Sequence, residues 1–431
     1  EMMRSQILKH AAHQFIEGDV EHWWHEETGK GIRTKFSDDL LWLIYVTCEY
    51  VKMTNDQSIW EEEIAYRTGP LLDEHTDENY DWHPESQVKE NLFQHCVRAL
   101  KKGVCLGEHG LPKIGSGDWN DAFNTVGNQG RGESVWLGFF LYDVLQRFLP
   151  ICQQRQEEEL ASFCKKTAQE LKRQLNEQAW DGRWYRRAFT DDGRWIGSAD
   201  NEEGRIDSIA QSWSVISGAG DNDKKFICME HLDKYLVDRE HEIIKLLTPA
   251  FDKSDLEPGY IKAYLPGVRE NGGQYTHGAV WSVWANCLLN FPDRAVEYYH
   301  FINPIEHART KEAIRQYKVE PYVLAADMYG VGKMAGRGGW TWYTGSSSWF
   351  LKIGIEKILG FQIEPGYIVL DPHIPAHWKE YQIKYKYQDS IYQITIKNNN
   401  MEKNVFQQNT KNEHKIKLEN NHRVNEIEIQ I

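Results

Sequence analysis

The 431-residue sequence lacks several features that mark membrane-bound, secreted and nucleic-acid-binding proteins. Its formal net charge is −14, and Lys and Arg form no run longer than two residues, so no basic track is present to neutralise a phosphate backbone or an anionic membrane surface. No run approaches the roughly 18 apolar residues of a membrane span, and no basic-then-apolar signal pattern is found at the start. We therefore predict a globular, cytoplasmic protein that binds neither nucleic acid nor membrane.

Cysteines and the short motifs of several catalytic classes are also scarce. The 7 cysteines form no Cys-x-x-Cys pair, as expected of free thiols in a reducing compartment. The sequence contains no Gly-x-Ser-x-Gly elbow, Walker loop, Gly-x-Gly-x-x-Gly unit or His-Glu-x-x-His helix, so nucleophilic Ser or Cys catalysis lacks support. His22 and His25 suggest a metal, yet no companion spacing of a zinc site follows them. We predict no metal ion and no cofactor.

Aromatic residues are in excess, with 17 Trp, 21 Tyr and 16 Phe. Rings beyond the needs of packing suggest stacking on flat apolar faces, among them those of sugars. Up to about residue 360, apolar residues recur with a helical period, and this pattern predicts ten to twelve helices. The clearest segments are 37–53, 91–102, 134–149, 159–175, 207–218, 224–238, 276–290 and 345–359.

The arrangement of these segments favours a mainly α fold. Many helices joined by long loops rich in Gly, Trp and Asp fit a ring of helical hairpins, an α/α barrel, and a helical bundle is the alternative. After about residue 361, "GYIVLDPHIP", "YQIKYKYQDSIYQITIKN", "KIKLE" and "EIEIQI" alternate apolar and polar residues. This period of two predicts the strands of a small β unit.

The loop "KIGSGDWNDAFN" places two aspartates three residues apart around Trp119. At this spacing Asp118 and Asp121 would lie on one side of a helical turn, where Trp119 stacks on a sugar and a carboxyl protonates a leaving oxygen. Alternatively, Asp118 caps a helix that begins near Trp119, and the glycines allow the entry turn. Both interpretations stay open for Asp118.

Three further loops precede predicted helices. In "GDVEHWWHEETGKGIRTKFSDDLLW", Ser37 or Asp38 would cap the next helix, which leaves Asp39 to accept hydrogen bonds from ligand hydroxyls. In "LPGVRENGGQYTHGAVWSVWA", His277 near a helix start would donate to an anion. In "GRGGWTWYTGSSSWFLKIGI", Thr344, Gly345 and the serines lie where a helix terminus favours an anion, although a serine-rich N-cap explains this pattern equally well.

Together with "DSIAQSWSVISG" and "KVEPYVLAADMYG", these loops resemble the glycoside phosphorylase family that contains cellobiose and chitobiose phosphorylases, family 94 of the glycoside hydrolases. The resemblance spans nearly the whole chain. "HWWH" and "GRGGWTWYTGSSSWF" are similar to the branch of 1,2-β-oligoglucan phosphorylases and the phosphorylase domains of cyclic β-1,2-glucan synthases. The resemblance implies an (α/α)6 barrel catalytic domain over residues 1–360 and a small, jelly-roll-like C-terminal β unit over residues 361–431.

The resemblance also implies inverting phosphorolysis, in which inorganic phosphate attacks the anomeric carbon of a terminal β-glucosyl unit and releases α-glucose 1-phosphate. Phosphate is already a nucleophile, so one carboxylic acid suffices where an inverting hydrolase needs an acid and a base. Asp121 matches the family's general acid, which has to hold a proton near neutral pH. The matched substrate-binding residues are Arg33, Asp39, Trp119, Arg269, Tyr264, Gln211 and Glu320, and the matched phosphate-binding residues are His277, Thr344 and Gly345.

Several expectations stay open beside this hypothesis. Family members carry a β-sandwich and a helical linker ahead of the barrel, and we expect neither within this chain. The substrates would be a β-linked gluco-oligosaccharide and phosphate, and the family's usual homodimer is one expected assembly. An inverting hydrolase on the same barrel and a sugar-binding module without turnover are the alternatives. The resemblance assigns no role to His22 or His25.

Overall fold

The computed structural model describes residues 1–342, 344–399 and 413–431. These residues contain eleven α-helices, within the predicted range of ten to twelve. Their bounds are α1 Met2–Ala11, α2 Asp39–Thr54, α3 Leu92–Gly103, α4 Val135–Gln154, α5 Glu158–Glu177, α6 Ser208–Ile216, α7 Asn222–Leu236, α8 Thr276–Leu288, α9 Pro292–Ile302, α10 Lys311–Tyr317 and α11 Ser346–Ile353. The sequence pattern did not predict α9 or α10, and α10 is only 7 residues long, which gives too few repeats of the period.

The helices form an inner and an outer layer. Each of α2, α4, α6 and α8 contacts the helix that follows it in sequence, so four pairs of neighbours pack together. The first members of successive pairs also contact one another, and α8 contacts α11. Helices α4, α6 and α8 are buried along most of their length, whereas α5 and α7 keep exposed faces. The inner layer is therefore the row α2, α4, α6, α8 and α11.

Three tryptophans hold the inner layer together. Trp136 of α4, Trp213 of α6 and Trp281 of α8 are fully buried, and their ring centroids lie 5.3 to 6.1 Å apart. Such rings bury roughly 150–250 Å² each and prefer edge-to-face or offset contacts. This cluster fixes the spacing of three inner helices directly behind the loops that carry the candidate site.

Helix α4 is, among the described residues, the one helix long and apolar enough to cross a membrane by length and composition. The sequence was expected to contain no such run. In the structure 67% of its most apolar window is buried inside the protein. A helix that is apolar on all sides is typical of the core of a large domain, which is where α4 lies.

Within the described part of the chain, fourteen short strands lie among the helices, and the helical periodicity did not predict them. Nine are two residues long and join pairs of loops, which is too short to produce a pattern of alternation. The bounds are β1 Glu21–His25, β2 Lys30–Thr34, β3 Glu63–Arg67, β4 Glu78–Trp82, β5 Glu85–Asn91, β6 Glu133–Ser134, β7 Ala188–Phe189, β8 Trp195–Ile196, β9 Ile206–Asp207, β10 Val237–Asp238, β11 Ile243–Ile244, β12 Leu247–Thr248, β13 Gln274–Tyr275 and β14 Asp327–Met328.

The C-terminal residues form the predicted β unit. Its strands are β15 Phe361–Glu364, β16 Tyr367–Leu370, β17 Glu380–Tyr387, β18 Ser390–Lys397, β19 His414–Lys417 and β20 Val424–Gln430. They form two three-stranded sheets, ordered β15-β16-β19 and β17-β18-β20, around a shared apolar cluster. The strands expected from the alternating segments are confirmed, and residues 400–412 lie outside the described residues.

Side-chain contacts link the N-terminal ends of the inner helices. Asp118, in the loop before α4, pairs with Arg187, which also lies near Asp207, the N-cap residue of α6. Trp119 of the same loop reaches His277 in the first turn of α8. Several helices therefore begin at one place, where their aligned peptide dipoles favour negative charge.

Candidate active site

The loop that carries Asp118 and Asp121 separates the two carboxylates. Asp118 is 1% exposed, whereas the side chain of Asp121 is 44% exposed. Asp121 begins a single 3₁₀ turn whose N-cap is Asn120, and the Asn120 side chain accepts a hydrogen bond from the N–H of Ala122. The expected helix cap by Asp118 and the expected shared helical face are both wrong, because the chain forms one 3₁₀ turn here and not an α-helix.

Two glycines let this loop pass close to the segment before α2. Gly115 has φ 63°, and a Cβ atom there would lie 2.2 Å from the carbonyl oxygen of Lys35. Gly117 has φ 146°, and its Cβ would lie 2.3 Å from the ring of Phe36. The positive φ and the close approach both favour glycine, which lacks a Cβ and adopts positive φ freely. The close approach brings the loop against the segment that leads into α2.

Asp118 belongs to a set of side chains that we call the buried network: Asp118, Ser134, Arg187 and Asp207. Arg187 donates to both carboxylate oxygens of Asp118 at 2.6 and 2.7 Å, and Ser134 donates at 2.6 Å. The guanidinium also lies 3.5 Å from Asp207, and burial raises the pKa of Asp207 to about 6 against the opposing charge of Arg187. The network fixes the loop in place, because moving the loop would leave a charged group buried without its partner.

Asp121 faces a different set of charges, which we call the histidine bridge: Asp39, His22 and Asp121. His22 Nδ1 lies 2.8 Å from Oδ2 of Asp39, and His22 Nε2 lies 3.6 Å from Oδ2 of Asp121. Burial disfavours the charged imidazolium, but the nearby carboxyl group of Asp121 and the hydrogen bond with Asp39 outweigh it and raise the pKa of His22 to about 10. Near neutral pH, His22 is therefore a cation between two carboxyl groups.

The start of α2 explains why Asp39 and not Asp38 takes part. Asp38 occupies the N-cap position but makes no capping bond, and it accepts a hydrogen bond from Trp42 Nε1 at 2.9 Å. Burial raises the pKa of Asp38 well above its ordinary value, and the charge of Asp39 adds to this shift. Asp39 is the first residue of α2 and turns the other way, toward His22.

Trp119 fixes the orientation of His277. Trp119 Nε1 donates to His277 Nδ1 at 3.3 Å, which assigns the remaining ring proton to Nε2. Burial lowers the pKa of His277 to about 3, so the ring is neutral. Its Nε2 is buried and has no hydrogen-bond partner among the described residues. This atom is a donor available to an oxygen atom of a ligand.

The first turn of α11 lies near this histidine. The Trp349 ring, on the first turn of α11, is 6.1 Å from the His277 ring. Thr344 Oγ1 accepts a hydrogen bond from the N–H of Ser346 and lies 2.6 Å from the Ser346 hydroxyl. A Cβ atom built on Gly345 would meet nothing within 4 Å, so open space lies beside this turn. The helix start and His277 Nε2 together offer donors to an anion.

Arg269 forms a flat cationic surface near the same loops. It has φ 53°, which is uncommon for a residue with a side chain, and such strain is frequent at functional sites. Its guanidinium stacks on the rings of Tyr264 and Trp340 at 4.7 and 4.2 Å. Glu270 lies 3.5 Å from Arg269, and burial raises its pKa, with the charge of Asp121 among the contributors. Glu270 therefore lies within electrostatic range of Asp121.

Three residues matched to substrate binding have their polar groups engaged within the protein. Arg33 is buried and pairs with two acidic side chains and two backbone carbonyls. Gln211 is also buried, and its amide bonds to backbone groups on neighbouring segments. Glu320 accepts hydrogen bonds from Thr341 and Trp342 in the loop before α11. Their substrate contacts stay predictions.

The structure adds two residues to the site that the sequence left unassigned, His22 and Glu270. A β-bulge places His22 outside the alternation of β1, because Glu21 pairs with Arg33 and Trp23 with Ile32. A bulge leaves no mark in the sequence. Glu270 follows Arg269 directly, and that adjacency was the available signal. Among the described residues, no group of three or more His, Cys, Asp or Glu is placed to hold a metal.

Known proteins resemble this chain over most of its length. The family model described as "Glycosyl hydrolase 94 superfamily, catalytic domain" matches residues 1–360. "Cyclic beta-(1,2)-glucan synthase NdvB" of Rhizobium meliloti (strain 1021) is 41% identical over 396 residues, covering 92% of this chain and 14% of that protein. "Solabiose phosphorylase" of Paenibacillus borealis is 30% identical over 372 residues, covering 85% and 45%.

A third relative, "N,N'-diacetylchitobiose phosphorylase" of Vibrio furnissii, is 28% identical over 379 residues, which cover 87% of this chain and 44% of that protein. The chain thus spans less than half the length of each of these three relatives.

Proposed function

This chain belongs to the glycosyl hydrolase 94 superfamily as its catalytic domain, and we propose that it catalyses inverting phosphorolysis of a β-glucoside. Inorganic phosphate is the proposed co-substrate and α-glucose 1-phosphate the proposed product, in a reversible reaction. Two of the relatives are phosphorylases by name, which supports this reaction class. The family expected from the sequence motifs is confirmed.

The observation that carries the proposal is the combination of one open carboxyl group with donors suited to an anion. Asp121 is half-exposed, and His277 Nε2 is an unpartnered buried donor near the first turn of α11. An inverting hydrolase would need a carboxylate base as well. The neighbouring acid Glu270 has its pKa raised by burial, which disfavours the ionised form that a base requires.

In the proposed reaction, Asp121 donates its proton to the leaving oxygen while a phosphate oxygen bonds to the anomeric carbon from the opposite face. His277 donates to phosphate through Nε2, and Thr344 with the N–H groups that follow Ser346 in the first turn of α11 donates to its other oxygens. Trp119 offers a ring face to the transferred glucosyl unit, and the Arg269 surface contacts the acceptor sugar. No group in this scheme depends on a metal.

The proposed substrate is a β-1,2-linked gluco-oligosaccharide. The 41% identity to a cyclic β-(1,2)-glucan synthase supports this linkage. We also propose that the two helical layers form an (α/α)6 barrel. Two further proposals are that the protein is cytoplasmic and that it forms a homodimer. The layered pairs of helices support the barrel assignment.

A product assay with a panel of β-linked glucose disaccharides and sophoro-oligosaccharides tests the proposal. We expect glucose 1-phosphate only when phosphate is present, and loss of this product in the Asp121→Asn variant. Release of free glucose without phosphate would instead identify a hydrolase. Oligosaccharide binding without turnover in either buffer would identify a sugar-binding module.

A further inference from the structure

His22 occupies a position between the proposed general acid and the start of α2. Its two ring nitrogens face different carboxyl groups, with Nδ1 2.8 Å from Asp39 and Nε2 3.6 Å from Asp121. Its side chain is mostly buried, with 22% exposed, and its ring packs 4.7 Å from that of Phe36. The imidazole is thus held on both sides and has little freedom to rotate.

The backbone that carries His22 is built to present it in this way. Strand β1 contains one extra residue relative to β2, and His22 is that residue. A bulge re-aims a side chain away from the two faces of a sheet. The side chains on either side of His22 face different environments, since Glu21 is buried whereas Trp23 is exposed. His22 instead points at the loop that carries Asp121.

The charge of the bridge matters for an acid that has to release its proton. When Asp121 gives its proton to a leaving oxygen, negative charge develops on its carboxyl group. A fixed cation with an N–H group at this position stabilises the charge as it forms, and such preorganised donors lower the barrier. Asp39 keeps the imidazole protonated and oriented, as a carboxylate commonly does for a histidine.

We infer that His22, clamped by Asp39, is a positioning residue that orients Asp121 and stabilises its ionised form during proton transfer. The inference rests on the proposed phosphorolysis. In that step the bond from the anomeric carbon to the glycosidic oxygen breaks, and a bond to an oxygen of HPO₄²⁻ forms. The proton of Asp121 moves to the departing oxygen, and the total charge is unchanged. In synthesis the same carboxylate accepts the proton of the acceptor hydroxyl.

The test compares two leaving groups. With a β-1,2-gluco-oligosaccharide, which needs a proton on the leaving oxygen, we expect His22→Ala to lower kcat about 100-fold with little change in KM. With 2,4-dinitrophenyl β-glucoside, whose phenolate leaves without a proton, the loss should be at most about threefold. Asp121→Asn should give the same pattern more strongly, and His22→Gln, which keeps one N–H donor, should recover about tenfold of the loss. Equal losses on both substrates, or none, would overturn the inference.

A matched control and a second measurement separate this inference from the proposed function. His25→Gln changes an exposed histidine of the same strand that contacts Tyr80, and it should leave both rates within twofold. In an NMR titration of the imidazole nitrogens, His22 should stay protonated well above the ordinary histidine range in the wild type. It should titrate closer to that range in Asp121→Asn and in Asp39→Asn. An ordinary titration in the wild type would contradict the bridge, whereas failure of the proposed function would show as a wild type without phosphate-dependent turnover.

Discussion

The buried network and the histidine bridge each contain an aspartate of the same loop, and these two residues, Asp118 and Asp121, are three positions apart. Asp118 receives two bonds from Arg187 and one from Ser134 in complete burial. Asp121 is half-exposed and contacts one histidine at a longer distance. Both residues are aspartates, so the difference in their exposure and bonding comes entirely from the side chains around them.

This difference indicates which aspartate can do chemistry. A carboxylate whose acceptor positions are filled by a buried guanidinium cannot reach a substrate. A carboxyl group that is open on one side and faces the His22 imidazole on the other can exchange a proton with a ligand. The buried network therefore holds the loop that also carries Asp121 of the histidine bridge.

The largest expected effect follows from removing the open carboxyl group. Asp121→Asn should lower kcat on a gluco-oligosaccharide by about 10²- to 10⁴-fold, which is the range for loss of a general acid. Its free energy of unfolding should change by no more than about 0.5 kcal/mol, since the side chain is half-exposed. Steady-state kinetics and urea unfolding check the two halves. A variant with a lower free energy of unfolding and an unchanged kcat would contradict the proposal that Asp121 acts in catalysis and Asp118 in stability.

The same substitution at Asp118 should act on stability. Asp118→Asn leaves the charge of Arg187 buried without its carboxylate, and breaking such a pair costs about 3–5 kcal/mol. The matched control is Asp255→Asn, which removes an exposed partner of Arg194 and should cost about 0–1 kcal/mol. Urea unfolding of both variants provides the comparison. A cost for Asp118→Asn no greater than that of the control would contradict the structural role of the network.

A smaller effect concerns the pH dependence of stability. Burial raises the pKa of Asp207 from 3.8 to about 6, so between these values the folded protein holds a proton that the unfolded chain has released. The free energy of unfolding should therefore fall as pH rises through this window, by about 1–3 kcal/mol from this group. Asp207→Asn should flatten that part of the profile measured by thermal unfolding. An unaltered slope would show that Asp207 is ionised throughout.

The smallest effect concerns the proposed phosphate site. Thr344→Val removes one hydroxyl donor, and the KM for phosphate should rise about tenfold, which corresponds to roughly 1.4 kcal/mol. The KM for the oligosaccharide serves as the internal control and should stay within twofold. Initial rates at varied phosphate measure the change. A rise confined to the oligosaccharide KM would move Thr344 to the sugar side of the site.

The sequence predicted those parts of the molecule that depend on local periodicity. Helices such as α3 and α5 carry clear apolar faces, and the strands from Phe361 onward carry clear alternation, so both were predicted. The two-residue strands were not, because pairing between distant loops leaves no local pattern. Residues such as Asp121 were found through motif resemblance and not through periodicity.

The contacts that distinguish the two aspartates depend on tertiary structure. Arg187 lies 69 residues from Asp118 in sequence, and no local rule joins them. His22 reaches Asp121 because of a bulge that sequence patterns do not reveal. Family motifs therefore led to Asp121 as the proposed acid, whereas only the fold shows that His22 lies beside it.

The most direct test of the account is the fate of the anomeric carbon in the presence of phosphate. Proton and phosphorus NMR of the wild-type protein with a β-1,2-gluco-oligosaccharide should show α-glucose 1-phosphate as the first product, and no reaction in phosphate-free buffer. The Asp121→Asn variant should form it at least about 100-fold more slowly. Formation of β-glucose 1-phosphate, or of free glucose without phosphate, would contradict inverting phosphorolysis with Asp121 as the acid.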